Sequence, residues 1–489
     1  MSLPGNIFRR AFFIESFKVW GRRLSFVCLA MALPFATAET KKHNSQIQPL
    51  TLYMAVERAI NNDPLLVKSR HLESALRDRS VAESSLPDPT LSLNLANLPT
   101  DSFDFNQEPM TQFKVGYSQM IPGGDRLELK QKSLTQMADS YPLLRQVRKA
   151  QLTVEVGKLW LQLYQTEQSI RLINDNRFLF EHLAKVAQAS YSSALAKTRQ
   201  QDIVRAQLEI TRLEDRLTQL HQKRETIKQQ LSRFIGADFA EGYLEKETDY
   251  HWESVLANAE TTVANKIQRI PSAYQGAEKL WQIPRQTMQD ILRRHPAVKS
   301  LEQSIASEQT RVELSKQSYR PNWGISAAYS YRDNDPLGNE RSDFLSIGVS
   351  FELPLFTENR QDKSVAAAIA KSEAVKMDKW QTLRMMLADF SSHAARLNRV
   401  EQRRQLYAKT LLPQMQELAE AALNAYTNDD GDFAEVVRAR IAELNAKIDV
   451  LKIAVEQQTL LLQLNYFFID ADEAQPEMRM LGKVENLND

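Results

Sequence analysis

Cysteine and glycine are both scarce in this chain of 489 residues. The single cysteine, Cys28, lies in an apolar N-terminal segment, so removal of that segment would leave no thiol. A disulfide framework and a cysteine metal site are then excluded from the mature chain. Glycine occurs only 14 times, which is typical of a protein built from long helices because glycine disfavours helix interiors.

A charge excess of either sign is also missing. The 62 Lys and Arg residues nearly balance the 61 Asp and Glu residues, and the formal net charge is +1. This balance provides neither the basic surface that nucleic acid requires nor an acidic tail. No nucleic-acid partner is therefore predicted.

Catalytic motifs are not recognisable in the sequence. It contains no phosphate-binding glycine loop and no nucleophile elbow, and Pro122-Gly123-Gly124 is typical of a strand-to-helix turn. The seven histidines are scattered without the spacing of metal ligands: His43, His71, His182, His221, His251, His295 and His393. We predict a protein that is not an enzyme and that needs no cofactor and no bound metal.

Long apolar runs are missing too, because none approaches the roughly 18 residues of a membrane-spanning helix. The N-terminal segment is shorter and has a different pattern. Arg22 and Arg23 precede an apolar run over 24–34, and Ala-Thr-Ala at 36–38 forms an A-x-A cleavage site. This arrangement predicts a signal peptide over 1–38 and export of the mature chain.

Two other interpretations of the N-terminal segment are less favoured. An uncleaved membrane anchor would need a longer apolar run to cross a bilayer. Lipid modification of Cys28 would need a leucine-like residue three positions earlier, and Ser25 stands there. The cleaved signal remains the preferred prediction.

The clearest feature that is present is a repeat at a fixed offset of 232 residues. Each copy contains a long helical pattern, two alternating strands and a second, very long helical pattern. Such a repeat indicates a duplicated structural unit rather than a short solenoid module. The matched pairs include Pro64 with Pro296, Pro89 with Pro321, Pro122 with Pro354, Gly116 with Gly348, Ser118 with Ser350, and Asp101 with Asp333.

The predicted strands alternate apolar with small or polar residues. Each is about ten residues long, enough to cross a bilayer when tilted, and the apolar face carries no charge, as a lipid-facing barrel wall requires. A half-buried strand in a soluble sheet would show the same alternation. The predicted lipid-facing residues are Leu91, Leu93, Leu95, Phe113, Val115, Tyr117, Trp323, Ile325, Tyr329, Leu345, Ile347, Val349 and Phe351.

Four strands are too few to close a barrel in a membrane. Outer-membrane barrels begin at about eight strands, and open sheet edges are not tolerated in lipid. If these strands contact lipid, several subunits must share one barrel, and a homotrimer would supply twelve strands. The connections at 99–110 and 332–342 are rich in Asp, Asn and Pro, which predicts exposed loops.

The helical patterns are unusually long. One runs over 124–191 with a kink expected at Pro142, and a continuous helix of that length would extend roughly 100 Å. Two shorter helical patterns, 202–236 and 284–318, are predicted to run back alongside it, and each covers about half of its length. In the second copy, the long helical pattern covers 356–425, with Pro413 near its end. The two half-length helical patterns predicted to run back alongside it are 433–468 and 50–86. Heptad-spaced apolar residues on 203–227 and 437–462 indicate coiled-coil-like seams.

These patterns predict a mainly helical protein with a membrane β-barrel part. The first repeat occupies 39–236 and the second 284–470. The segment 237–283, which contains Trp252 and Trp281, connects them and is expected to form a small equatorial collar. The final residues, 471–489, form a polar tail.

Four short stretches carry a resemblance to a known family. They are 86–93 (LPDPTLSL), 97–103 (NLPTDSF), 107–112 (QEPMTQ) and 118–126 (SQMIPGGDR). With the overall layout, they resemble the TolC-type outer-membrane factors of tripartite efflux pumps, in the branch that serves heavy-metal pumps of the resistance-nodulation-division class. The resemblance covers essentially all of the mature chain.

The resemblance implies both an architecture and partners. The family forms homotrimers in which a twelve-stranded outer-membrane barrel continues into a periplasmic α-barrel of long helical hairpins. The implied partners are a periplasmic adaptor protein, an inner-membrane pump and outer-membrane lipid, and the implied substrates are heavy-metal cations. Export of drugs or of secreted polypeptides is the alternative within channels. A secreted coiled-coil structural or adhesion protein is the alternative from another class.

The resemblance also locates two periplasmic hairpin tips, at 191–207 and 426–440. The resemblance implies that the channel narrows at these tips, that the acidic residues Asp202 and Glu435 lie at the narrow opening, and that Tyr426 lies on the hairpin that closes it. Three copies of a carboxylate around a pore would attract cations. Alternatively, Asp432 and Glu435 match a capping box, which needs no pore. The first tip departs from the family pattern, since it has Ser-Ser-Ala-Leu-Ala where the family has a glycine turn.

Overall fold

The structure is a computed structural model that describes residues 50–192, 200–237, 269–428 and 431–472. All of them belong to the unit Pro49–Asp489. The predicted signal peptide, most of the connecting segment and nearly all of the polar tail lie outside the described residues.

The first half of the chain contains five helices and two strands among the described residues. They are α1 (Leu52–Asn62), α2 (Pro64–Ser84), β1 (Thr90–Ala96), β2 (Gln112–Ile121), α3 (Arg126–Ala138), α4 (Ser140–Tyr191) and α5 (Gln200–Ile235). The order of helices, hairpin strands and a long helix agrees with the sequence pattern.

The second half has a similar order. Its elements are α6 (Ala277–Trp281), α7 (Arg285–Arg293), α8 (Pro296–Lys316), β3 (Trp323–Tyr331), β4 (Phe344–Phe351), α9 (Gln361–Leu406), α10 (Leu412–Thr427) and α11 (Phe433–Asn465). A 3₁₀ turn, Tyr466–Phe468, extends α11. Most of the described residues are helical, and the four strands form one small sheet.

Prolines divide two helices that the sequence predicted to be continuous. The expected helix over 50–86 is split at Asp63 into α1 and α2, and that over 284–318 is split before Pro296 into α7 and α8. Proline lacks an N–H and restricts the residue before it to extended backbone, so a new helix starts at each proline.

The very long helices are interrupted close to their prolines. The break expected at Pro142 lies three residues earlier, at Asp139, which leaves Pro142 in the first turn of α4, where no N–H is needed. Before Pro413, the helix passes through a π segment, Tyr407–Leu411. Because Pro413 cannot donate to the preceding turn, a wider turn accommodates it there.

Three apolar clusters form the core. One joins α1, α4, α5 and α11 around Leu52 and Trp160, whose Nε1 donates to the Leu50 carbonyl at 2.8 Å. The second packs α7 and α9 against Phe467 and Phe468. The third lies at the ends of the hairpins α4–α5 and α10–α11 and includes Phe433. These clusters hold the helices that extend from the sheet to the hairpin ends.

The sheet is antiparallel in the order β1-β2-β3-β4. Its register places Leu91 opposite Tyr117, Tyr117 opposite Ala327, and Ala327 opposite Ile347. The edge strands are β1 and β4, which have no further strand beside them among the described residues.

Candidate functional site

One face of the sheet is apolar across all four strands. Residues that stand directly opposite in the register share a face, and the register places all thirteen predicted lipid-facing residues on the same face. Twelve of them are exposed, Ile347 by 75%, and only Val115 is half-buried. An exposed apolar surface that is continuous over four strands indicates contact with lipid or with another protein.

The opposite face of the sheet carries small residues in matched pairs. A Cβ built on Gly116 would lie 2.6 Å from Ser92 Oγ, and one on Gly324 would lie 2.5 Å from Ser350 Oγ. Serine and glycine thus face each other across neighbouring strands, and a larger residue at either glycine would require the serine side chain to turn away. Small side chains allow a sheet to curl toward the face that carries them. The sequence predicted small or polar residues on this face but not their pairing, which depends on the register.

Two arginines join the two loops at one end of the sheet. Arg332 Nη1 donates to the Pro109 carbonyl at 3.3 Å, and its guanidinium lies 4.0 Å from the centre of the Phe344 ring. Arg341 Nη1 donates to the Glu108 carbonyl at 3.2 Å. The loops were predicted as exposed, but the sequence contained no signal that these arginines hold them together.

The ends of the two long hairpins share one apolar cluster. Leu183 and Ala206 from α4 and α5 pack there with Tyr426 and Phe433 from α10 and α11. The Tyr426 and Phe433 rings meet edge to face, with centroids 5.6 Å apart. A Cβ on Gly431 would lie 2.7 Å from the Tyr426 backbone nitrogen, so the turn between α10 and α11 requires glycine.

The acidic residues at the hairpin ends lie in different environments. Asp202, in the first turn of α5, is only 4% exposed. Asp432 caps α11, because its carboxylate accepts from the Ala434 N–H at 3.1 Å. The Glu435 side chain is 60% exposed and pairs with Arg438 Nη2 at 3.2 Å. The capping function predicted for Asp432 is present, while the Glu435 carboxylate points to Arg438 one turn along the helix.

Neither a metal centre nor a membrane helix is found in the part of the chain that the structure describes. Within the ranges given above, no three His, Cys, Asp or Glu side chains come together in a way that could hold a metal ion. Over the same residues, no helix is both long enough and apolar enough to span a bilayer. The candidate sites are the exposed apolar sheet face and the hairpin ends described above.

Comparison with known proteins identifies the fold. No protein-family model matches the sequence, and no curated protein matches it. Solved structures do match. CusC, whose structures concern transmembrane channel formation, aligns with a TM-score of 0.67 and 12% identity over 87% of this chain and 96% of that chain. The CmeC outer-membrane channel of Campylobacter jejuni aligns with a TM-score of 0.67 and 11% identity over 89% of both chains.

A third match is VceC, an outer-membrane protein of Vibrio cholerae, with a TM-score of 0.64 and 12% identity over 85% of this chain and 95% of that chain. All three alignments cover most of both chains. The chain therefore has the fold of these three proteins, at 11–12% sequence identity.

Proposed function

We propose that this protein is the outer-membrane channel of a tripartite efflux system and a passive exit duct for heavy-metal cations. The observation that carries the proposal is the exposed apolar face shared by all four strands, in a chain with the fold of CusC and CmeC. An ordinary soluble sheet would bury such a face against a core. A barrel wall in lipid exposes it.

The assembly that we propose is a homotrimer. Strands β1 and β4 each present an unpaired edge, and open edges are not stable in lipid. Pairing β4 of one copy with β1 of the next, three times around, closes a barrel of twelve strands. The Ser–Gly face then lines the interior, where small side chains leave room for a passage.

The proposed periplasmic part is an α-barrel made from the internally duplicated hairpins α4–α5 and α10–α11. The two hairpins end in one apolar cluster, so each subunit would contribute both tips to the same opening. A periplasmic adaptor and an inner-membrane resistance-nodulation-division pump complete the system. The pump supplies the energy, since a passive duct needs none of its own.

Among the predicted gate residues, we favour Glu435 as the charge that lines the opening. Its carboxylate is exposed at the hairpin end, whereas the Asp202 side chain is buried within its own subunit. Tyr426 contributes packing through Phe433, and Asp432 contributes a helix cap. Three exposed carboxylates at a narrow opening would favour cations over anions. The metal substrate itself is supported by the sequence resemblance.

The proposal is tested by expressing the chain in a host that lacks outer-membrane channels, together with its neighbouring pump and adaptor. We expect heat-modifiable trimers in the outer-membrane fraction and restored resistance to metal salts. Resistance to organic drugs without resistance to metals would assign the channel to drug export. A secreted protein that is absent from the outer membrane would overturn the channel assignment.

A further inference from the structure

The break between α7 and α8 contains a fully buried histidine, His295, with 0% exposure. Its Nδ1 accepts from the Ala297 N–H at 3.1 Å, and its Nε2 lies 2.9 Å from the Tyr466 carbonyl oxygen. One nitrogen must accept and the other must donate. The two partners therefore select the neutral ring with its proton on Nε2.

The residue at the same place in the first half is Asp63, 232 positions earlier. Its Oδ1 accepts from the Leu65 N–H at 2.8 Å, so it caps α2 as His295 caps α8. Its second oxygen accepts from Arg148 Nε at 2.6 Å. The same capping position is thus occupied by a paired anion in one half and by a neutral imidazole in the other.

A second proton on His295 would remove the cap. Nδ1 could no longer accept, and the Ala297 N–H would lose its partner. The positive charge would also be buried without water, beside the positive end of the α8 dipole. The Nε2–H bond to the Tyr466 carbonyl favours the cation but is outweighed by desolvation: burial lowers the pKa of His295 from 6.5 to about 4.

Charged groups around the break have partners of their own. Arg294 Nη1 lies 3.7 Å from Asp470, and Lys299 Nζ lies 3.0 Å from Glu302. Within the described residues, no ion pair includes the His295 ring. The titratable and charged residues on the elements around it include Asp290 and Arg293 on α7, Arg294 at the break, Lys299 and Glu302 on α8, His393 on α9, and Tyr466 and Asp470 after α11.

We propose that His295 is an acid-sensitive latch that holds the start of α8 against the segment after α11 while its ring is neutral. Protonation favours release, because the charged ring can be solvated only by leaving its buried site, which breaks its bond to Tyr466. The contacts that span this joint include the hydrogen bond from His295 to the Tyr466 carbonyl, the bond from the Ala471 N–H to the Arg294 carbonyl at 3.1 Å, and the ion pair of Arg294 with Asp470. The joint lies in the helical part of the molecule, beside the second apolar cluster, and α8 leads from it toward β3.

The pH window follows from the direction of the pKa shift. The folded joint binds a proton less readily than the released one, so its stability is complete above about pH 6.5 and falls as the pH drops toward 4. For a single group whose pKa is 6.5 in the released joint and about 4 in the closed joint, the equilibrium constant for closing the joint is about thirtyfold lower at pH 5 than at pH 8.

Hydrogen exchange of the full-length protein in detergent, corrected for the intrinsic pH dependence, tests the latch. Wild-type amides in 295–300 and 466–472 should lose protection about thirtyfold at pH 5 relative to pH 8. His295→Asn retains a capping oxygen but cannot titrate, so its protection should be the same at both values. His71→Asn, which replaces an exposed histidine on α2, should keep the wild-type acid response.

An acid response that persists undiminished in His295→Asn would overturn the proposal. If that variant does not fold, the titration of His295 in the labelled wild-type protein decides the question by NMR. A ring that titrates near pH 4 together with loss of protection at the joint supports the latch. A ring that titrates near 6.5, or a joint that stays protected throughout, refutes it.

Discussion

Gly157 on α4 lies directly against Leu462 on α11. A Cβ built on Gly157 would lie 2.7 Å from Leu462 Cδ1 and 3.6 Å from Leu52 Cδ1. Both Gly157 and Leu462 are buried, so the leucine has little room to move. This glycine is the only one between 125 and 235, and it stands where the long helix of the first half meets the return helix of the second.

We therefore expect Gly157→Val to destabilise the subunit by about 1–3 kcal/mol, because the core at this contact would be overpacked. Thermal unfolding followed by fluorescence measures the loss. Leu462→Ala alone should cost about 2–5 kcal/mol through the cavity it leaves, and the double variant should lose less than the sum of the two single losses, since the valine fills part of that space. Gln162→Ala, at an exposed position on the same helix, serves as the control. Full additivity of Gly157→Val and Leu462→Ala would contradict the proposed contact.

A second prediction concerns the two faces of β4. Ile347→Arg places a charge on the apolar face and should cost about 2–4 kcal/mol in each subunit if that residue lies near the bilayer centre. Few heat-modifiable trimers should then reach the outer membrane. Ser346→Arg changes the neighbouring residue on the opposite face and should assemble more readily. Equal losses in both variants would show that the face assignment is wrong.

A third prediction separates the two candidate gate acids. Glu435→Gln should lower the cation-to-anion permeability ratio in planar bilayers, because the exposed carboxylate is lost from the opening. Arg438→Gln should raise the ratio by removing the cation that pairs with Glu435. Asp202→Asn should leave the ratio unchanged because Asp202 is buried. A ratio that responds to Asp202 and not to Glu435 would reverse the assignment.

A fourth prediction concerns the loops at the end of the sheet. Arg332→Gln removes the cation from the Phe344 ring and the hydrogen bonds to the Pro109 and Ser342 carbonyls. We expect the closed arrangement of the two loops to lose about 1–2 kcal/mol of stability. Limited proteolysis of the purified protein should then cleave the loops about tenfold faster, since 1.4 kcal/mol corresponds to a factor of ten. Glu340→Gln, in the same loop, is the control. An unchanged cleavage rate in Arg332→Gln would mean that the arginine does not restrain the loops.

The strands could be predicted closely because their signal is local. The loops predicted at 99–110 and 332–342 end within two residues of the starts of β2, at Gln112, and β4, at Phe344. Helix ends near prolines were less accurate. A single helix over 284–318 was wrong because Pro296 starts a new helix with His295 as its cap, and a helical pattern of apolar residues continues across such a break.

The sequence alone determined the helical patterns, the four alternating strands and the apolar side of each strand, because each depends on residues near one another along the chain, and the repeat at a fixed offset can be read directly from the sequence. Only the tertiary structure decided that Asp202 is buried while Glu435 is exposed, that serine stands opposite glycine, and that Arg332 reaches Pro109. These relationships join residues far apart in sequence, and their geometry is set by strand register and helix packing.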